Sequence, residues 1–393
     1  MASKLGNRPR ACARSDLHFR ALVLLALLPW ASLRGQSVRW AGMASGWAAY
    51  LPERPKTSYA GVRYLPELSS ALELGPGWSL DGELSVNAYV SGWCEGWHSV
   101  QARAKLYRSW VRLSRPQWEV RAGLQKLNFG SATLLRPLMW FDRLDPRDPL
   151  QLADGVTGIL GRYYLLANAT VWAWVLFANE DPKGWEVFPT SSRHPEFGGR
   201  VQVPVPAGEV AVSFHQRVAD VSAAFHGEGA ARGGTTSAER RLALDGKWDL
   251  SIGLWLEGTI SKFEVLLPAM RYQKMATLGV DYTLGLGNGL HVLGETLWMS
   301  NGEFLWEAGE RFTFSASMAS YPVNIVDMVS AVVFYDWHNG AWYRFASWRR
   351  SLDNWQFYLM PFWNPKFPQI YRATSGAPQF AGKGVQVMAV FNH

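Results

Sequence analysis

The chain of 393 residues is 48% hydrophobic, 14% aromatic and 18% charged, a balance that excludes wholesale disorder. Its formal net charge of +7 is concentrated at the N-terminus. Residues 1–35 hold six Lys/Arg and one Asp; beyond them 33 basic and 31 acidic side chains remain, so the high isoelectric point gives no reason to expect a nucleic-acid partner.

The first element reads as a targeting signal. Lys4, Arg8, Arg10, Arg14 and Arg20 form a basic leader, Ala21 to Ala31 an apolar run, and Ser32 to Gln36 a polar stretch. An apolar run of that length is too short to cross a bilayer as a helix. Residues 1–35 are therefore expected to be a signal peptide, and 36–393 the mature domain. Cys12 has no lipobox before it, and Cys94 alone remains beyond the signal, which excludes an intramolecular disulfide framework. After residue 35 no apolar run reaches about 18 residues, so a membrane could be crossed only by a closed barrel.

The rest of the chain alternates with a period of two. In 78–90, Trp78, Leu80, Leu84, Val86, Ala88 and Val90 face one way, and Asp81, Glu83, Ser85, Asn87 and Tyr89 the other. The same rhythm recurs in 209–217, 275–284 and 311–318. Eighteen segments are expected, at about 38–50, 58–74, 78–91, 100–113, 117–128, 155–165, 169–179, 196–205, 209–219, 238–246, 248–261, 272–284, 289–300, 311–320, 326–337, 340–350, 353–363 and 382–391. Arg108 and Arg112 break phase within the fourth, and 289–300 alternates poorly, so sixteen strands is the second reading. Most segments have the length of a tilted membrane strand.

The connections alternate short and long. Short ones include Gly75-Pro76-Gly77, Ser114-Arg115-Pro116, Asp245-Gly246-Lys247 and Gly285 to Asn288. Long ones include 129–154, 180–195, 220–237, 301–310 and 364–381. Such parity is that of an outer-membrane barrel with short periplasmic turns and long external loops. A soluble β-sandwich also alternates, but its strands average nearer five or six residues. The terminal strand, ending Val390-Phe391 before Asn392 and His393, suits recognition by barrel-assembly machinery. The fold class expected is all-β, a transmembrane antiparallel barrel in the bacterial outer membrane. Its 21 Trp then have a place in interfacial girdles. Trp78, Trp110, Trp118, Trp172, Trp174, Trp298, Trp342, Trp348 and Trp355 are the candidates.

The connection 129–154 stands apart. It joins apolar residues (Leu134, Leu135, Leu138, Met139, Trp140, Phe141) to a charged cluster of Arg136, Asp142, Arg143, Asp145, Arg147 and Asp148. A loop this long and this apolar is expected to fold into the lumen as a constriction. Asp142, Asp145 and Asp148 lack the EF-hand ligand pattern, so no metal is expected.

The stretch Arg121 to Gly130, with Leu135-Arg136-Pro137, Phe141-Asp142 and Asp145-Pro146, resembles the strand-and-loop signature of alginate-export-like outer-membrane porins, in particular of Bacteroidota-type members. The resemblance covers roughly 117–165. It implies eighteen strands and a pore attractive to oligosaccharides or uronates. The pore-lining and constriction candidates are Arg103, Lys105, Arg121, Gln125, Arg136, Asp142, Arg143, Asp145, Arg147, Asp148 and Arg162. Further lumen-facing charges of both signs are expected at Arg200, Arg217, Arg241, Asp81, Glu83, Glu119, Glu257 and Asp281.

A barrel of this size encloses a water-filled lumen, which points to passive passage of polar or charged solutes. A non-conducting scaffold or adhesin is the other reading. No G-x-S-x-G, H-E-x-x-H or P-loop is present, and no enzyme or cofactor is expected. Membrane lipid and a small polar or saccharide solute are the expected partners.

Overall fold

The computed structural model describes residues 37–54, 57–94, 100–222, 236–264, 270–307, 309–366 and 380–393. The expected signal peptide lies outside the described residues.

Eighteen strands form one closed antiparallel meander. They are β1 (Ser37–Tyr50), β2 (Ser58–Gly75), β3 (Trp78–Trp93), β4 (Gln101–Arg115), β5 (Trp118–Gln125), β6 (Val156–Tyr164), β7 (Thr170–Leu176), β8 (Glu196–Val205) and β9 (Gly208–Asp220). The second half holds β10 (Thr236–Asp249), β11 (Gly253–Phe263), β12 (Tyr272–Leu284), β13 (Leu290–Gly302), β14 (Arg311–Pro322), β15 (Asp327–Asp336), β16 (Ala341–Ser351), β17 (Trp355–Trp363) and β18 (Lys383–Asn392). β18 closes the cylinder on β1, with Met43 opposite Asn392 and Tyr50 opposite Val385. His393 extends that seam by exchanging backbone bonds of 3.0 Å with Gly42. Closure gives every strand a hydrogen-bonded neighbour on both sides, which satisfies most of the wall's backbone donors without water.

The burial pattern is inside out. On β9 and β10, Val212, Leu242 and Leu244 point outward and are 49%, 53% and 53% exposed, whereas His215, Arg217 and Arg241 point inward and are buried. In water that arrangement is unfavourable for each exposed leucine; in lipid it is the stable one. Trp298, Trp342, Trp348 and Trp355 stand on the outer surface, as girdle residues do. Trp110, Trp172 and Trp174 do not. They face the lumen, Trp174 almost wholly buried, because indoles also serve there as platforms for guanidinium groups and rings.

Two local departures from the sequence expectation have clear causes. The break of phase in β4 is a bulge at Tyr107: Asn87 faces Lys105 and Ser85 faces Arg108, so both cations point inward on either side of the extra residue. The Asp245-Gly246-Lys247 turn does not form. β10 continues to Asp249, and Asp245 stays mid-strand because its carboxylate is the counter-ion of Arg200, at 2.6 Å. The Gly285–Gly289 turn does form, with Gly287 and Gly289 at φ of +57° and +96°, values open to glycine at little cost.

Candidate functional site

Between β5 and β6 the chain enters the barrel. Leu127, Leu134, Leu135, Leu138, Trp140 and Phe141 are buried there. Leu134 and Leu135 pack on Trp255, Leu297, Phe314 and Phe334 of the wall. Phe129 and Phe141 pack on Trp174, with ring centroids 5.7 and 5.4 Å apart. The inward residues of β13–β16 that cluster with the loop, among them Leu293, Phe314, Phe334 and Tyr343, are apolar because they meet it instead of water.

Three adjacent strands grip the loop backbone. Glu295 on β13 accepts from the amides of Thr133, Leu134 and Leu135 at 2.6, 2.9 and 2.5 Å, and from the Trp255 indole at 2.9 Å. Glu257 on β11 accepts from Ala132 and Leu138 at 2.7 and 3.2 Å. Thr277 on β12 donates to the Leu135 carbonyl at 2.7 Å. A segment with no strand partner must place its amides somewhere, and carboxylates are the strongest acceptors available.

The connection between β7 and β8 also folds inward. Trp185 donates to the Arg136 carbonyl at 2.8 Å. Glu186 bridges Arg217 at 3.2 Å and Arg241 at 2.6 Å, and Glu239 bonds both arginines again at 2.5 and 2.7 Å. His215, wholly buried, lies 3.2 Å from Glu196 and stacks on Trp140.

The sequence candidates divide between these packed contacts and the remaining lumen. Arg136 pairs with Asp142 at 3.2 Å and with Asn128, and both members of the pair are buried: they pin the loop. Arg147 and Asp145 bond at 2.7 Å within the loop. Gln125 donates to the carbonyls of Arg121 and Gly158, each at 3.2 Å, as part of the wall. Arg143 is half-buried. Arg162 bonds Glu119 at 3.0 Å and lies 3.9 Å from the Trp172 ring, while Arg121 lies 4.5 Å from the Trp110 ring. Lys105 meets Asp154 at 2.5 Å. Arg103 is exposed opposite Tyr89.

Three residues outside the sequence list belong with this second group. Arg63 on β2 lies 5.3 and 5.4 Å from the rings of Trp47 and Tyr89. Arg108 lies 3.9 Å from the Tyr107 ring and donates to the Ala153 carbonyl at 2.9 Å. Arg349 on β16 also points inward. Among the described residues none of Arg63, Arg103, Arg108 and Arg349 forms an ion pair. The one signal for Arg63 was its inward phase on β2; nothing local distinguished it from a neutralised arginine. Asp148, on the loop, carries the charge facing Arg63. Burial raises its carboxyl above the ordinary aspartate range, opposed by the Leu150 amide and the Arg63 charge.

No protein-family model matches the sequence, and no curated protein matches it. Solved structures do. OccD3 of Pseudomonas aeruginosa aligns with TM-score 0.56 at 10% identity, over 92% of this chain and 91% of that one. OccAB1 of Acinetobacter baumannii gives 0.55 at 9%, over 92% and 96%. The outer membrane channel DcaP of the same species gives 0.50 at 9%, over 91% and 98%. At such identities the likeness establishes the fold: an eighteen-strand barrel of the bacterial outer-membrane type.

Proposed function

We propose that the protein is a porin-like outer-membrane channel passing small polar solutes, with a preference for carboxylate-bearing ones such as oligosaccharides rich in uronate. The observation that carries this reading is the unequal neutralisation of lumen arginines. Among the described residues Arg63, Arg103, Arg108 and Arg349 form no ion pair; Arg63 lies on the rings of Trp47 and Tyr89, and Arg108 on that of Tyr107. Arg108 is buried and spends donors on the carbonyls of Tyr107 and Ala153; Arg63, Arg103 and Arg349 keep theirs for a passing anion, Arg63 held by its ring contacts. The packed loop narrows the bore, and charged groups at a constriction set selectivity. The resemblance of 117–165 to alginate-export-like porins agrees with an anionic saccharide.

The test is reversal potential in planar bilayers under a KCl gradient. Anion preference, falling in Arg63→Ala and Arg349→Ala, supports the proposal. Cation preference overturns the solute class. A silent bilayer with heat-modifiable, folded protein overturns the channel and favours the scaffold reading.

A further inference from the structure

One part of the outer surface departs from the apolar rule. At the long-loop end of β9–β14, outward positions form two adjoining rungs. Arg240 lies between Gln216 and Lys262 across the strands, and Lys262 is opposite Tyr272. Lys274 lies between Ile260 and Ser300, and Ser300 is opposite Arg311. Four cations from four strands thus share one patch. These rungs carry no carboxylate. Glu264, just past β11, pairs with Arg240 at 2.8 Å. In the loop after β13, Glu307 turns its carboxylate onto the amides of Glu303 and Phe304 at 2.8 and 3.1 Å; Glu303 and Glu310 are the other acids there. Directly opposed like charges such as Arg240 and Lys262 weaken strand pairing unless an anion lies between them.

Below the cations lies a groove of about 810 Å³ on the lipid-facing surface. Leu242, Leu244, Ile260, Ala276, Trp298 and Trp306 line it, and Lys274 and Arg311 stand at its rim. Trp306 is 92% exposed, on a turn held against the wall by Lys274, whose ammonium donates to the Leu305 carbonyl at 3.1 Å and to that of Glu307. By contrast, Val62 and Val90 occupy outward positions toward the long-loop ends of β2 and β3, and both are exposed.

A purely polar anion has no use for an apolar groove within the lipid band, and a purely apolar ligand has none for two cations at its rim and two more on the adjoining rung. We propose that this face binds an acylated, phosphate-bearing lipid of the outer leaflet. The phosphate lies on Arg240, Lys262, Lys274 and Arg311, and an acyl chain lies in the groove between Leu242 and Trp306. Clustered Lys and Arg at the membrane surface attract anionic headgroups, and the guanidinium forks suit phosphate oxygens. The site is independent of whether the lumen conducts.

The test uses the whole barrel purified in detergent and a bisphosphorylated, hexa-acylated glucosamine disaccharide as probe, with retained lipid counted by native mass spectrometry. The wild type is expected to keep the lipid. Retention is expected to fall roughly tenfold when Arg240, Lys262, Lys274 and Arg311 are all changed to Gln, and when the probe is dephosphorylated. Ala276→Trp fills the groove while leaving the charges, and is expected to reduce retention as well. Heat-modifiable mobility certifies that each variant is folded. Equal retention by wild type and the quadruple variant overturns the proposal, as does equal retention of the dephosphorylated probe. A lipid-free, detergent-stable oligomer lost in the quadruple variant also overturns it, assigning the face to a second copy of the chain.

Discussion

The walls β9–β13 and β2–β4 use similar residues to opposite ends. On β9–β13, Arg217, Glu239, Arg241, Glu257 and Glu295 all point inward, and all are buried with partners on several sides. On β2–β4, Arg63, Arg103 and Arg108 point inward without a carboxylate in contact, whereas Lys105 and Arg112 beside them are paired with Asp154 and Asp81. The loops make the difference. Those after β5 and β7 bring Glu186 and a run of free amides to the first wall, and burying a charge is tolerable only when it is paired and hydrogen-bonded. On the second wall Arg63 meets the rings of Trp47 and Tyr89 instead, and its guanidinium stays available. Charge inside this barrel is therefore either buried against carboxylates or left without one, and the folded loops decide which.

Several experiments would break or sharpen this contrast. Removing 134–149 should enlarge single-channel conductance several-fold, because the buried part of the loop fills one side of the bore; unchanged conductance would sink the constriction. Arg217→Met leaves Glu239 and Glu186 short of a partner in a buried site and should cost about 3–5 kcal/mol, read as earlier loss of heat-modifiable mobility. Glu295→Ala strips the acceptor from three loop amides, with an expected loss of roughly 3 kcal/mol and noisier conductance. If stability is untouched, the grip on the loop is not carboxylate-based.

Smaller effects belong to the other wall. Arg63→Ala should lower anion preference a few-fold while changing stability by only about 1 kcal/mol, the scale of its ring contacts. Asp148 gives a pH signature. Burial disfavours its charged form, so as pH falls it protonates before an ordinary aspartate. Losing that negative charge beside Arg63 should raise anion preference toward acid. Asp148→Asn should show the raised preference already at neutral pH, with a flatter response below it; an identical pH profile in wild type and variant would remove Asp148 from the pore.

Much of the architecture was legible in the residue order. Alternation and loop parity implied eighteen strands, and eighteen form. The apolar content of 129–154 implied a loop packed inside, and it is buried there. Two misreadings are instructive. Asp245-Gly246 has turn chemistry, but the Arg200 contact holds it in a strand. Trp172 and Trp174 look like girdle residues, but their strand phase sends them into the lumen under Arg162 and against Phe129. The first error arose where a partner distant in sequence outweighed a local preference, the second where residue type was weighed above strand phase.

By itself, then, the order of residues determined that this chain builds a lipid-facing barrel, because a period of two and the parity of its turns are local and depend on no distant contact. Which lumen charges are neutralised was decided only in three dimensions. Arg63, 74 residues before Pro137, and Arg241, far beyond it, are alike in sequence; the folded loops reach one with carboxylates and leave the other facing rings and a single aspartate. Long-range packing inside a closed cylinder, not strand pattern, separates the arginines that are neutralised from those that are not.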